Sequence, residues 1–215
     1  MDLAPQTDTT HSPARRGRPS AATTQSRMAK LLETAREIFV TRGYRGTTMD
    51  DVAAAAGITK RTLYAWHKDK ESLFRACVLL GAGRFPRLEP DIELHGQSLH
   101  AALEHYVLDL HKELTQPDSY GMGALFLREA NEFPELASSI QRGHLDFMIG
   151  PLAAFLRRHR LEADDSVEQT MLFVAMALSP LHNAMLVGMA LPDAGANFAH
   201  AKRCVRIFLS GAHLA

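Results

Sequence analysis

The sequence predicts an all-α fold of about nine helices. Three observations predict it. Apolar residues recur at steps of three and four along most of the chain. No run after residue 98 alternates as a half-buried strand would. Ala, Leu and Met are plentiful, whereas Pro and Gly are ordinary. With 215 residues, 46% of them hydrophobic, the chain can bury a core, either as one large domain or as a small domain joined to a medium one.

Residues 1–25 read as a flexible basic arm without the apolar run of a signal peptide. Met28, Leu31, Leu32, Ala35, Ile38 and Phe39 then share one helix face, and Gly43 ends that helix. Thr48 is a good N-cap, with Asp51 three residues on and Asp50 beside it in the positive first turn. Val52, Ala53 and Ala56 give this short helix a small apolar face, and Gly57 stops it. Thr59 caps the next helix, where Ile58 and Leu63 form a hydrophobic staple that fixes its entry angle. That helix ends near Trp66 and His67. Asp69 caps a fourth, with Leu73, Phe74, Cys77 and Leu80 on one side. Residues 26–80 thus form one unit. Residues 81–97, punctuated by Gly and Pro, read as a linker to a second domain over residues 98–215.

In the second domain Leu103, Tyr106, Val107, Leu110 and Leu114 form one stripe. Met122, Leu125 and Phe126 start another, which carries Glu129. Pro134 opens a long helix to about Arg160 that is apolar over much of its circumference and so should lie centrally. Met171, Val174, Leu178, Leu181 and Met185 step by three and four, as do Phe198, Ala201, Val205, Phe208 and Ala212. Such seams suit bundle packing, and two helices from each of two chains would make a four-helix dimer interface. Packing within one chain is the alternative. Residues 171–191 carry no charge and are long enough to span a bilayer, but Ser179, Pro180, His182 and Asn183 sit at the middle, where polar groups cost most. A buried or subunit-contacting helix is expected, with no membrane partner.

Formal net charge is zero, but its distribution is not even. Residues 11–75 hold a surplus of seven positive charges, and residues 76–215 a deficit of five. A basic N-terminal third beside a short polar helix suggests a polyanion-binding module. Two cysteines far apart make no disulfide framework and fit a reducing cytoplasm.

A short helix, a tight turn at Gly57 and a second short helix make a helix-turn-helix. One helix fits the major groove of B-DNA, about 12 Å wide. Side chains at its N-terminal end reach base edges, and its free N–H groups favour phosphate. Thr59, Lys60, Arg61 and Thr62 occupy that end, Leu63 faces inward, and Tyr64 and Trp66 can donate to phosphates.

Leu32, Ala35, Phe39, Gly43-Tyr44, Thr47-Thr48-Met49, Val52-Ala53, Ala56 to Thr59, Thr62 to Tyr64, Lys70-Glu71 and Leu73 together resemble the DNA-binding domain of TetR-family transcriptional regulators. The resemblance implies groove or base contact for Lys60, Arg61 and Thr62, and phosphate contact for Thr48, Tyr64 and Lys70. Thr47, Thr59, Trp66 and His67 complete the candidate set. Trp66 stands where the family often has His or Tyr, and His67 where Phe is common. Arg61 replaces a small residue, and reads either a guanine or a phosphate. "RRGRPS", with Arg15, Arg16 and Arg18, can enter a minor groove or act as a solvated basic tail. "LREANEFPELA" is similar to a segment of AefR-like effector domains.

The resemblance further implies a homodimer on a pseudo-palindromic, double-stranded operator, a repressor released by a small-molecule effector. Met122, Leu125, Phe126, Phe147, Met148, Phe155, Phe173 and Met176 could line an apolar pocket, with Glu129 its polar candidate; each could equally be core. No cofactor or metal is expected: His100, His105 and His111 lack i, i+4 spacing, and the His105–Asp109 pair reads as surface. No GxSxG, HExxH or phosphate loop points to an enzyme. An activator, or an architectural DNA binder without a ligand, remains the alternative, with a helical-bundle enzyme behind it.

Overall fold

Capping chemistry places the boundaries of the N-terminal helices where the sequence predicts them. The computed structural model describes residues 21–88, 98–159 and 166–212. Helix α1 (Ala21–Gly46) begins earlier than the predicted unit and turns sharply at Gly43, whose φ of 77° and ψ of 168° suit only glycine. Before α2 (Met49–Ala55), Thr48 and Asp51 exchange side-chain to backbone hydrogen bonds in a capping box. Gly57, at φ 64°, turns the chain toward α3 (Lys60–Trp66), where the Thr59 hydroxyl accepts the Thr62 N–H at 3.1 Å. Asp69 and Ser72 form a second capping box at α4 (Lys70–Ala82), which extends two residues into the predicted linker.

The second domain holds α5 (Leu99–Leu114), α6 (Pro117–Glu129), a long α7, α8 (Ser166–Val187) and α9 (Ala194–Ala212). Pro134 is the first residue of α7, as predicted. The helix runs through Pro134–His144, a π-helical turn at Leu145–Ile149, and Gly150–Arg158. The wide turn has a local cause. Pro151 has no N–H to give, and the Gly150 N–H reaches the Leu145 carbonyl so closely that a Cβ there would lie 2.9 Å from that oxygen.

Two cores result. In one, Leu31, Leu32, Phe39, Leu63, Leu73 and Phe74 of the helix-turn-helix unit pack with Met122, Leu125 and Leu136 of α6 and α7. The helix-turn-helix unit therefore does not close its own core; α1 lies on α6 and α4 on α7. The other core joins α5, α7, α8 and α9 through Leu103, Leu110, Met148, Phe155, Phe173 and Val205.

The predicted dimer seam needs correction. Val174, Leu178, Leu181, Ala201, Val205 and Phe208 are buried inside their own chain, and Phe173 stacks near Phe208 with ring centroids 4.7 Å apart. Step-three-and-four spacing marks a packed helix pair, but does not say which chain supplies the partner. Met185 is half-buried, and only Met171 and Phe198 of the predicted set are exposed. The outward apolar surface of α8 and α9 is carried instead by Met171, Leu172, Leu186, Val187, Phe198 and Ile207.

Candidate DNA interface and ligand chamber

Helix α3 is held by one apolar pin and presents a polar edge. Leu63 is fully buried and Trp66 packs half-buried against the first core. Thr59, Lys60, Arg61 and Tyr64 are exposed, and Thr62 is half-buried. Lys60 Nζ contacts Asp50 Oδ2 at 2.6 Å, so α2 partly neutralises it. Arg61 makes no ion pair among the described residues, which leaves its guanidinium available. Thr48 is exposed at the start of α2, its hydroxyl 2.6 Å from Asp51 Oδ2.

Three predicted contacts serve the fold instead. Thr47 is buried and donates its hydroxyl to the Gly43 carbonyl at 2.7 Å. Lys70 Nζ donates to the Tyr44 carbonyl at 2.8 Å and the Thr47 carbonyl at 3.2 Å, and lies 4.4 Å over the Tyr44 ring. Both residues hydrogen-bond carbonyls at the end of α1 and in the turn that follows it. His67 is buried as the C-cap of α3, and burial holds its imidazole below the ordinary histidine range. Arg15, Arg16 and Arg18 lie outside the described residues.

The end of α1 is gripped by the "EANEFP" segment, a long-range contact that helical spacing does not reveal. Glu129 Oε2 accepts the Tyr44 N–H at 2.9 Å. Arg45 pairs with Glu132 and lies 5.6 Å over the Phe133 ring, which meets Tyr44 edge-on. Glu129 is thus a docking residue rather than a pocket residue.

The chamber itself is a cavity of about 120 Å³ between α1, α4, α6, α7 and α8, with Leu114 at the end of α5 also on its wall. Of the predicted lining only Met122 and Phe126 reach it, with Val78, Phe85, Ile140, Leu181 and Met185 around them. Leu125 belongs to the first core, and Met148, Phe155 and Phe173 to the second, against which Met176 packs. Phe147 is half-buried beneath the Arg87 guanidinium at 5.1 Å. Periodicity identified interior residues, but not where packing leaves space. The signal for that was the glycines inside facing helices, Gly81, Gly123 and Gly143, all of which line the cavity.

Its polar members are Arg36, Ser119, His144 and His182. Arg36 is buried; Nη1 donates to the Cys77 carbonyl and Nη2 to Asp118 Oδ2, both at 2.9 Å. A Cβ on Gly81 would fall 2.1 Å from Nη1, so only glycine admits this guanidinium. Burial works to raise the Asp118 carboxyl, but the bond from Arg84 and the charge of Arg36 outweigh it and hold it below the usual range. Burial, then repulsion from His182, keeps His144 low. The Cys77 thiol is buried and pushed up to about 12, which makes it a poor redox sensor.

Residues 31–77 match the family described as bacterial regulatory proteins, tetR family. The transcriptional repressor BepR of Brucella suis is 32% identical over 103 residues, covering 43% of this chain and 48% of BepR. The transcriptional activator FasR of Mycolicibacterium smegmatis is 29% identical over 122 residues, covering 54% of this chain and 52% of FasR. The chain thus spans about half the length of the curated relatives it matches. A TetR transcriptional regulator from Agrobacterium tumefaciens shares the fold with a TM-score of 0.67 and 26% identity, over 87% of this chain and 97% of that one. Residues 31–77 thus form the helix-turn-helix domain of the tetR family of bacterial regulatory proteins, and the all-helical body that follows shares its fold with the Agrobacterium regulator.

Proposed function

We propose that this chain is a cytoplasmic, ligand-responsive repressor. A homodimer, joined through the outward apolar surface of α8 and α9, binds a pseudo-palindromic operator with α3 of each copy in the major groove. Thr59, Lys60, Arg61, Thr62 and Tyr64 face the DNA, Thr48 contacts phosphate, and the arm with Arg15, Arg16 and Arg18 follows the minor groove. The observation that carries the ligand response is the composition of the chamber wall. Arg36, Val78, Gly81 and Ala82 come from α1 and α4, Phe85 from the connection after α4, and the rest from the second domain. A molecule filling the space acts on both bodies at once. It shifts the population toward forms whose two α3 helices miss the spacing of successive major grooves, about 34–36 Å. BepR and FasR bear opposite signs of regulation in their names, and a reporter gene downstream of the selected operator decides the sign here. Selection of bound fragments from a random duplex pool tests the reading: recovery of an inverted repeat supports it, and no enriched sequence from dimeric protein at low salt refutes it.

A further inference from the structure

The chamber wall is mostly apolar, and one of its polar members, Arg36, is incompletely hydrogen-bonded. The Arg36 side chain is 4% exposed, and its Nε has no partner. Nη1 is committed to the Cys77 carbonyl, but Nη2 takes only one oxygen of Asp118. Nε and Nη2 lie along one edge of the guanidinium, the edge that receives both oxygens of a carboxylate as a fork. Asp118 leaves the Nε donor of that edge without an acceptor. A buried donor without an acceptor costs free energy that an entering acceptor recovers.

Asp118 is not dedicated to Arg36. It also receives Arg84, whose Nε reaches Glu113 at 3.5 Å. Handing Arg36 to another carboxylate therefore leaves Asp118 paired rather than stranded. The chamber whose wall includes Arg36 is also lined by Val78, Phe85, Met122, Phe126, Ile140 and Leu181, and its volume of about 120 Å³ suits a body on the order of one aromatic ring or a short acyl chain.

We propose that the chamber takes a small carboxylic acid, its apolar body among those side chains and its carboxylate forked on the Nε–Nη2 edge of Arg36 in place of Asp118. Arg36 belongs to α1 and Asp118 to α6, so the exchange severs an ion pair between the DNA-binding unit and the second domain. The consequence for DNA rests on the function proposed above; the binding site does not.

The test uses the full chain, with benzoate and hexanoate as probes and benzamide and hexanamide as neutral matches. The acids are expected to raise the melting temperature and the amides to leave it unchanged. Asp118→Asn removes the competing charge and is expected to tighten acid binding by about tenfold in calorimetry. Arg36→Gln, checked for helicity by circular dichroism, is expected to erase the preference for acid over amide. If Arg36→Gln does not fold, Asp118→Asn alone decides. Amides that bind as well as acids, no stabilisation by either acid, or an Asp118→Asn protein with equal or weaker acid affinity overturns the proposal. Operator binding is followed in parallel. Acid binding that leaves DNA affinity unchanged upholds this site and refutes the effector response. Release of DNA only by neutral compounds upholds the effector response and refutes this site.

Discussion

Glu129 on α6 accepts the backbone N–H of Tyr44 on α1 across 2.9 Å, and its other oxygen lies 2.7 Å from where a Cβ on Gly43 would stand. A carboxylate of the second domain therefore caps the broken end of α1, the first helix of the helix-turn-helix unit. Gly43→Ala would force an alanine into backbone angles that essentially only glycine adopts, at a cost of about 1–3 kcal/mol. A lower urea midpoint with an unchanged m-value is the expected result; an unchanged midpoint would show that the kink is not needed. Glu129→Gln keeps an acceptor for Tyr44, and is expected to cost less than Glu129→Ala.

On the DNA side, Arg61 and Lys60 should behave differently although they are neighbours. Arg61→Ala should weaken operator binding by roughly 1–3 kcal/mol. Loss of preference at a single base step would mark a base contact, and uniform weakening a phosphate contact. Lys60 is paired with Asp50. Asp50→Asn frees it, and should steepen the salt dependence of binding by about one unit of slope. Fluorescence anisotropy across a salt series measures both; an Arg61→Ala protein with full affinity for every duplex removes that residue from the interface.

The helix-turn-helix was legible because its determinants are local. Thr48, Thr59 and Asp69 cap helices through residues three positions away, and Gly43 and Gly57 turn the chain by backbone preference alone. What failed were the assignments that depend on residues distant in sequence. Thr47, His67 and Lys70 match a DNA-binding pattern, yet each is drawn inward by the folded end of α1 or α3. The pocket was misplaced for the same reason. A methionine at an interior position looks alike whether it borders a void or a neighbour, and the void here is made by residues of six helices.

Acidity should weaken the fold through His67 and His144. Burial holds His67 and His144 below the ordinary histidine range, so the unfolded chain takes up protons first. The stabilisation is complete above about pH 6.5 and is lost as the pH falls through the folded-state values. Urea midpoints should drop between pH 7.5 and 5.5, and His144→Gln should flatten part of that dependence. Asp118, also held low, acts only in a more acid range. Equal midpoints at the two pH values would contradict the buried, neutral state of both imidazoles.

Association should depend on the outward surface of α8 and α9 rather than on the buried seam. Leu172 is 61% exposed, so Leu172→Glu removes no core contact. Sedimentation should show a shift from dimer to monomer with helicity retained. Phe173→Ala, by contrast, should lower stability by about 3–5 kcal/mol, because that ring is fully buried. A Leu172→Glu protein that still sediments as a dimer would move the interface elsewhere.

The wide turn at Leu145–Ile149 changes the phase of α7. Leu136 on its first segment joins the core shared with the DNA-binding unit, whereas Leu152 and Phe155 on its last segment join the core of α5, α8 and α9. Each residue of an α-helix advances about 100° around the axis, so removing one residue here would swing one segment's apolar stripe away from its core. A single rod can face two differently oriented interiors because it slips its own winding once, midway between them.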